Sequence, residues 1–211
     1  NKMKLTRDVI AIIVILTTFF FYPQNIFSQT PTWNWANGCI NSASKGSCIA
    51  NDPFGNVVVA GNFGGDSIQF DTTTLMNHST NSFAITDFFL VKYDSNGNVL
   101  WAKEGGGTGS DAAATVTCDK QGNIFIAGNF LSDSIEFNSM VIQRNGNTNI
   151  FIMKLDPNGN TLWLKSAQGF HSANIFNSYT DSIGNTFIAG TFGLNTITFD
   201  TITLNNSGNG D

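Results

Sequence analysis

Charge is scarce in this sequence. Asp, Glu, Lys and Arg make up 12% of its 211 residues, about half the usual share. Gly, Asn, Ser and Thr take the polar positions instead, which suits short strands and tight turns better than long salt-bridged helices. No window beyond the N-terminal segment sustains apolar residues at i, i+3, i+4 and i+7, so almost no helix is expected there. Disorder is excluded as well: 41% of the residues are hydrophobic, and Phe alone occurs 19 times. Histidine occurs twice and cysteine three times. There is no CxxC and no Cys/His spacing of the zinc kind. His78 and His171 have no Cys, Asp or Glu at a spacing typical of a metal site or a nucleophile–base pair, and both read as loop residues.

The first 28 residues have the pattern of a secretory signal peptide. Lys4 and Arg7 precede the apolar run from Val9 to Tyr22, Pro23 breaks it, and Ser28 offers a small residue before Gln29. The run is short for a bilayer span, which needs roughly 20 residues; an uncleaved anchor is the rival reading. Without residues 1–28 the chain has 7 basic and 14 acidic residues, a net charge of −7. An acidic surface repels phosphates and anionic lipid, so neither nucleic acid nor membrane is an expected partner of this part. Export permits disulfides. Cys39 and Cys48 are near enough in sequence to bridge a small loop or to remain thiols, and Cys118 is left as a buried free thiol.

What the chain does have is repetition. Asp119 to Phe130 returns as Asp181 to Phe192, 62 residues later, and an earlier copy, Asp52 to Phe63, begins 67 residues before Asp119. A second block, Tyr93 to Lys103, returns as Leu155 to Lys165. A fixed period of this size means one supersecondary unit stacked several times. Repeats are placed at 29–98, 99–160 and 161–211, the last truncated. The unit 99–160 reads as strands at Leu100–Lys103, Ala113–Cys118, Ile124–Phe130 and Ile150–Leu155, with a small inserted pair at Ser134–Phe137 and Met140–Gln143. The expected fold is all-β, with propeller blades of about four antiparallel strands in an incomplete ring. Its main competitor, a β-solenoid, has shorter rungs. Ala60-Gly61, Ala127-Gly128 and Ala189-Gly190 are expected nearest the axis, where blades crowd, with Phe63, Phe130 and Phe192 filling the space between blades. Roughly two and three-quarter units are present and closed propellers need about four to eight, so a fragment of a longer protein is expected, with further blades as partners.

Two words carry a resemblance: Asp-x-x-Gly-Asn-(Val/Ile/Thr)-(Val/Phe)-(Val/Ile)-Ala-Gly and (Phe/Ile)-Phe-(Leu/Ile)-(Val/Met)-Lys-(Tyr/Leu)-Asp-x-Asn-Gly-Asn-x-Leu-Trp. They resemble the bacterial β-propeller repeat called SBBP, over nearly all of residues 33–211. The resemblance implies an exported or surface-attached propeller, often of seven blades, and many members resemble type IX secretion cargo. It brings no established catalytic residues. The first unit departs from the pattern with extra residues around His78 to Thr86.

Five Asp-x-x-Gly-Asn segments begin at Asp52, Asp94, Asp119, Asp156 and Asp181. An EF-hand calcium loop needs Gly at position 6 and Glu at position 12. From Asp94 those places hold Val99 and Gly105; from Asp156, Thr161 and Ala167. The segments read instead as hairpin turns, with Asp capping backbone N–H groups and Gly taking a positive φ. Lys92 and Lys154 interrupt apolar strands, and read as lysines whose stems pack while the ammonium reaches solvent or a carboxylate. Trp101 and Trp163 read as packing residues before sugar-stacking ones. The glycine-rich stretch 105–109 lacks the Lys-Ser/Thr of a phosphate loop and reads as a flexible connection.

No catalytic, cofactor or metal residue is assigned. The expected function is a non-enzymatic, secreted or cell-surface module that binds or displays protein or glycan. The alternatives are the accessory domain of a secreted hydrolase or lyase, and a structural spacer. At the turns, Gly122→Val is expected to lower stability by roughly 1 kcal/mol or more through left-handed strain; an unchanged melting midpoint contradicts this.

Overall fold

The computed structural model describes residues 34–40, 43–79, 85–144, 150–169, 173–193 and 195–206. The signal-peptide segment 1–28, His171 and the turn at Asn145-Gly146 lie outside the described residues. Among the described residues every regular element is a strand, and no helix is long and apolar enough to cross a membrane.

The first unit begins with β1 (Ala43–Asn51) and β2 (Val57–Gly64). A small hairpin follows, β3 (Ser67–Phe70) and β4 (Thr73–Met76), and then β5 (Asp87–Tyr93) and β6 (Val99–Gly105). β1, β2, β5 and β6 form an antiparallel sheet in that order, with the small hairpin set apart. The second unit repeats this with β7 (Asp111–Cys118), β8 (Ile124–Phe130), the hairpin β9 (Ser134–Phe137) and β10 (Met140–Gln143), and then β11 (Ile150–Leu155) and β12 (Thr161–Ser166). After the short β13 (Gln168–Gly169), the third unit has β14 (Ala173–Thr180) paired with β15 (Thr186–Phe192), and the hairpin β16 (Asn195–Phe199) and β17 (Ile202–Asn206). The described strands do not close a ring.

The sequence repeats and the sheets have the same period but different phase. Val99 opens the repeat 99–160, yet β6 pairs with β5 of the preceding sheet, Val91 facing Ala102 and Leu90 facing Lys103. The outermost strand of each sheet thus comes from the start of the next sequence repeat. Successive units are stitched where such a strand ends: Gly106 bridges Glu136, and β13 pairs with Ile197 and Thr198.

Side chains alternate along each strand. On the fully buried β5, Phe88 and Leu90 enter a core shared with Ile126, Phe130, Phe137 and Phe151 of the second unit. Phe89, Val91 and Tyr93 enter another core on the opposite face, with Phe63, Ile68 and Phe70. A third core joins Ala127 and Ile150 of the second unit to Ala173, Ile175 and Ile197 of the third. Each core lies against a different sheet face, so sheets are stacked and not merely strung together. Phe88 stacks on Phe151 at 4.7 Å and on Phe137 at 5.8 Å between ring centroids, both across the junction.

Two expectations are corrected, and the alternative left open for Cys39 and Cys48 resolves to thiols. The Ala-Gly pairs lie on the second strand of each sheet, not on the first: β1 packs on β7 and β7 on β14, while the second strands reach the next unit as well, with Ala60 and Ala127 in the shared cores. The glycines make room for a bulge in their own sheet. A Cβ on Gly61, Gly128 or Gly190 would stand 2.0–2.2 Å from the carbonyl of Lys45, Ala112 or Asn174, beside register shifts at Gly46/Cys48, Ala113/Thr115 and Ile175/Asn177. Such bulges increase local twist. The Cys39–Cys48 bridge does not form. All three cysteines are free, because Cys39 packs on one face of the first sheet and Cys48 on the other. The stretch 105–109 is a closely packed crossing, not a flexible one: a Cβ on Gly107 would stand 2.1 Å from the Ser134 carbonyl.

Phe88→Ala removes the ring common to two stacked contacts and should cost about 3–5 kcal/mol. A urea midpoint unchanged from wild type would show that the junction repacks or contributes little.

Candidate functional site

The recurring polar residues are occupied inside the fold. In all five Asp-x-x-Gly-Asn turns one Asp oxygen accepts the backbone N–H groups of the third and fifth residues. The other accepts the Asn side-chain amide, at 2.8–2.9 Å. The glycines have φ between 80° and 91°. Each turn is thus held by its own carboxylate. The Asp94, Asp156 and Asp181 carboxyls lie below the usual range, held there chiefly by the Asn98, Asn160 and Asn185 bonds against whatever desolvation opposes them.

Lys92 and Lys154 point at the first turn of their own sheets. Lys92 Nζ stands 2.8 Å from Asp52 Oδ2 and donates to the Pro157 carbonyl of the next unit at 3.0 Å. Both side chains of this pair are buried. Burial alone would raise the Asp52 carboxyl; the bonds from Lys92 and Asn56 outweigh it and leave the group below its ordinary value. Removing one partner of such a pair strands a buried charge. Lys154 lies 3.7 Å from Asp119 Oδ2 and over the Phe125 ring at 4.7 Å. The tryptophans pack as expected: Trp101 Nε1 also donates to the Pro157 carbonyl, at 3.4 Å, and the Trp163 ring meets Phe125 edge-on.

The unrepeated polar residues gather at the first junction. Asp87 opens β5 and is wholly buried. Its Oδ2 accepts the His78 backbone N–H at 2.6 Å and stands 2.7 Å from His78 Nδ1. Its Oδ1 has no hydrogen-bond partner among the described residues. Asp111 opens β7 and is also wholly buried. One oxygen accepts from the Leu131 and Ser132 N–H groups, the other from Ser132 Oγ at 2.6 Å and the Gly107 N–H at 2.8 Å. Burial raises the Asp87 carboxyl against its bonds to His78. Burial also raises Asp111, to about 6, with the Asp87 charge adding to the rise. Glu104 is raised by burial as well.

The sequence reading missed this grouping, since His78 and Asp111 come from different units and meet only through Asp87. One signal was available: the positions matching Asp111 hold Ser44 and Ala173, so its carboxylate is a departure from the repeat. A nucleophile–base pair needs a hydroxyl or thiol on the histidine. Among the described residues no such group bonds His78, and the half-buried thiols Cys48 and Cys118 are pushed up to about 12 by desolvation, which makes them poor nucleophiles.

A groove of about 480 Å³ opens beside the second sheet, lined by Ile152, Trp163, Lys165, Ser166, Phe199 and Asp200. It lies between β12 and the turn of the third unit's small hairpin.

No protein-family model matches this chain. It is similar to an uncharacterized WD repeat-containing protein of Acanthamoeba polyphaga mimivirus, 27% identical over 161 residues. The stretch covers 72% of this chain and 12% of the relative, so the chain spans only a small part of the protein it matches. Recurring four-stranded antiparallel sheets, packed face to face, agree with that likeness. The chain is built of β-propeller blades. Between its first and second blades lies the acid-rich junction, and beside its second blade lies the Trp163 groove.

The junction sets a pH dependence. Asp111 has a higher pKa folded than unfolded, so the native state binds more protons between about pH 4 and 6. The stability this gives is fully present below about pH 4 and is lost as pH rises through 6. A rise from 3.8 to about 6 corresponds to about 3 kcal/mol. Urea midpoints should fall between pH 4.5 and 7.5, and Asp111→Asn should remove most of that slope. Equal wild-type midpoints at the two pH values would contradict it.

Proposed function

We propose that this chain is a non-enzymatic β-propeller repeat module of the SBBP type, exported to the cell surface or beyond, where it binds or displays protein or glycan. The observation that carries this reading is the internal use of the repeated polar residues. The turn aspartates bond within their own turns, and the strand lysines and Trp101 bond to other parts of the fold, so their recurrence is explained by blade architecture. Partners are left with the variable loops and grooves, where propellers and other scaffolds commonly carry recognition. The WD repeat-containing relative agrees with a repeat scaffold of this kind. The basic, apolar and small-residue pattern of residues 1–28 supports export, and the negative charge of the remainder favours neutral or basic partners over nucleic acid.

The test uses the full chain expressed in a bacterial host. N-terminal sequencing of the exported protein should begin at Gln29, and a glycan and extracellular-protein array should give saturable binding to a few related ligands. Retention in the cytoplasm would refute the export part. Silence across the array would refute binding and leave the chain as a spacer.

A further inference from the structure

Residues 35–40 lie against the first blade as residues 101–106 lie against the second. Trp35 donates its indole N–H to the Ser95 carbonyl at 3.2 Å, and Trp101 donates to the Pro157 carbonyl at 3.4 Å. Ile40 bridges Gln69, and Gly106 bridges Glu136. Asn37 therefore stands where the second blade has Lys103, and Asp71 stands where it has Asn138. Asp71 and Asn138 are the tip residues of the small hairpins. They share one backbone conformation, with φ of 51° and 48°, so their side chains leave the hairpins at equivalent positions.

At the second blade the space beside this tip is taken by a lysine. Lys103 Nζ donates to Asn138 Oδ1 at 3.0 Å, and Asn138 Nδ2 donates to the Gly159 carbonyl at 2.8 Å. The lysine stem crosses the turn glycine: a Cβ on Gly159 would stand 2.8 Å from Lys103 Cε. At the third small hairpin Lys165 again pairs with the tip residue, there Asp200. At the first blade the lysine is replaced. The shorter Asn37 takes over the donation to the turn carbonyl, here that of Gly97. Asp71 keeps a carboxylate that bonds no group among the described residues; only its backbone carbonyl is used, by Gln69. A cavity of about 380 Å³ lies there, lined by Asn37, Ile40, Phe70, Asp71, Tyr93 and Val99 among others. Trp35 backs the Tyr93 ring at 5.6 Å between centroids.

We propose that this cavity binds a primary alkylammonium group, the side chain of a lysine on a partner protein. Its methylene stem would lie along Phe70, Tyr93 and Val99, and its ammonium would reach the Asp71 carboxylate. Apolar walls with a carboxylate at one end suit both halves of that side chain. The fold's own lysines at the other two hairpin tips, Lys103 and Lys165, show the same stem and ammonium placement. The negative charge of the chain outside residues 1–28 attracts basic partners. A sugar ring on Tyr93 is the competing occupant, but it would leave Asp71 without a counter-charge. This deepens the binding reading above and rests on it for the protein partner, independently of export.

The test titrates the full chain with the peptide acetyl-Gly-Lys-Gly-amide and follows it by NMR. The Asp71 and Gly97 amide signals should shift saturably. The same peptide with its lysine Nζ acetylated should shift neither. Asp71→Asn keeps a residue that tolerates the positive φ and should weaken binding roughly tenfold or more. Asn37→Lys should fill the cavity from within and abolish the shifts, while the melting midpoint holds or rises. The proposal is overturned by an absence of saturable shifts, by an equal response to the acetylated peptide, or by undiminished binding to Asp71→Asn. Larger shifts of the same signals with maltohexaose make the cavity a sugar site and also overturn it. Silence here beside saturable binding on the protein array places recognition elsewhere in the fold, so the two readings fail separately.

Discussion

The first sheet is apolar on both faces: the small hairpin of its own unit covers one, and the other is buried only against the following blade. β5 shows the constraint plainly: alternate residues enter two separate cores, one shared with the following blade. Burial of apolar surface is the main favourable term in folding, and two of the three cores form only through stacking. A blade therefore leaves part of its apolar surface to be covered by its neighbour. The aromatic residues at the first junction, Phe88 against Phe137 and Phe151, are where that dependence is most concentrated.

Polar groups within the stack follow from the same constraint. A lysine inside an apolar strand requires a partner, since an unpaired buried charge costs several kcal/mol. Lys92 finds Asp52 in its own sheet and the Pro157 carbonyl in the next, so one side chain ties the turn of one blade to the outer hairpin of another. Trp101 uses the same carbonyl. A turn that looks like a local device in the sequence is thus also an inter-blade contact. Opposite in character is the neighbourhood of Asp87 and Asp111, where burial raises both carboxyls and the Asp87 charge adds to the rise at Asp111. That arrangement makes the first junction sensitive to protonation in a way the repeated contacts are not.

Much of the fold was legible because it rests on short-range chemistry. Asp-x-x-Gly-Asn announces a hairpin wherever it occurs, since the carboxylate reaches only its own turn and the glycine alone adopts the positive φ without strain. The strands of 99–160 were readable from alternation and length, and the inserted hairpin from its flanking turns. What failed were assignments that required knowing a neighbour. The Ala-Gly pairs look like an answer to crowding between blades, yet Gly128 meets the Ala112 carbonyl of the adjacent strand in its own sheet. The glycine-rich stretch 105–109 looks loose but is pinned by Asp111 and by backbone of the second unit. The site residues were least legible: His78 shows no useful spacing, because its partner lies nine positions away across a segment outside the repeat.

The sequence by itself determined the period, the all-β character, the five turns and the stem-packed lysines, because each of these follows from backbone conformation or alternation within a few residues. Tertiary structure alone decided that β6 belongs to the blade before it, that Cys39 and Cys48 face opposite ways, and that Asp87 and Asp111 meet. Those outcomes depend on which surfaces come together across tens of residues, and pairing at that range is set by the collective burial of faces, not by any local pattern.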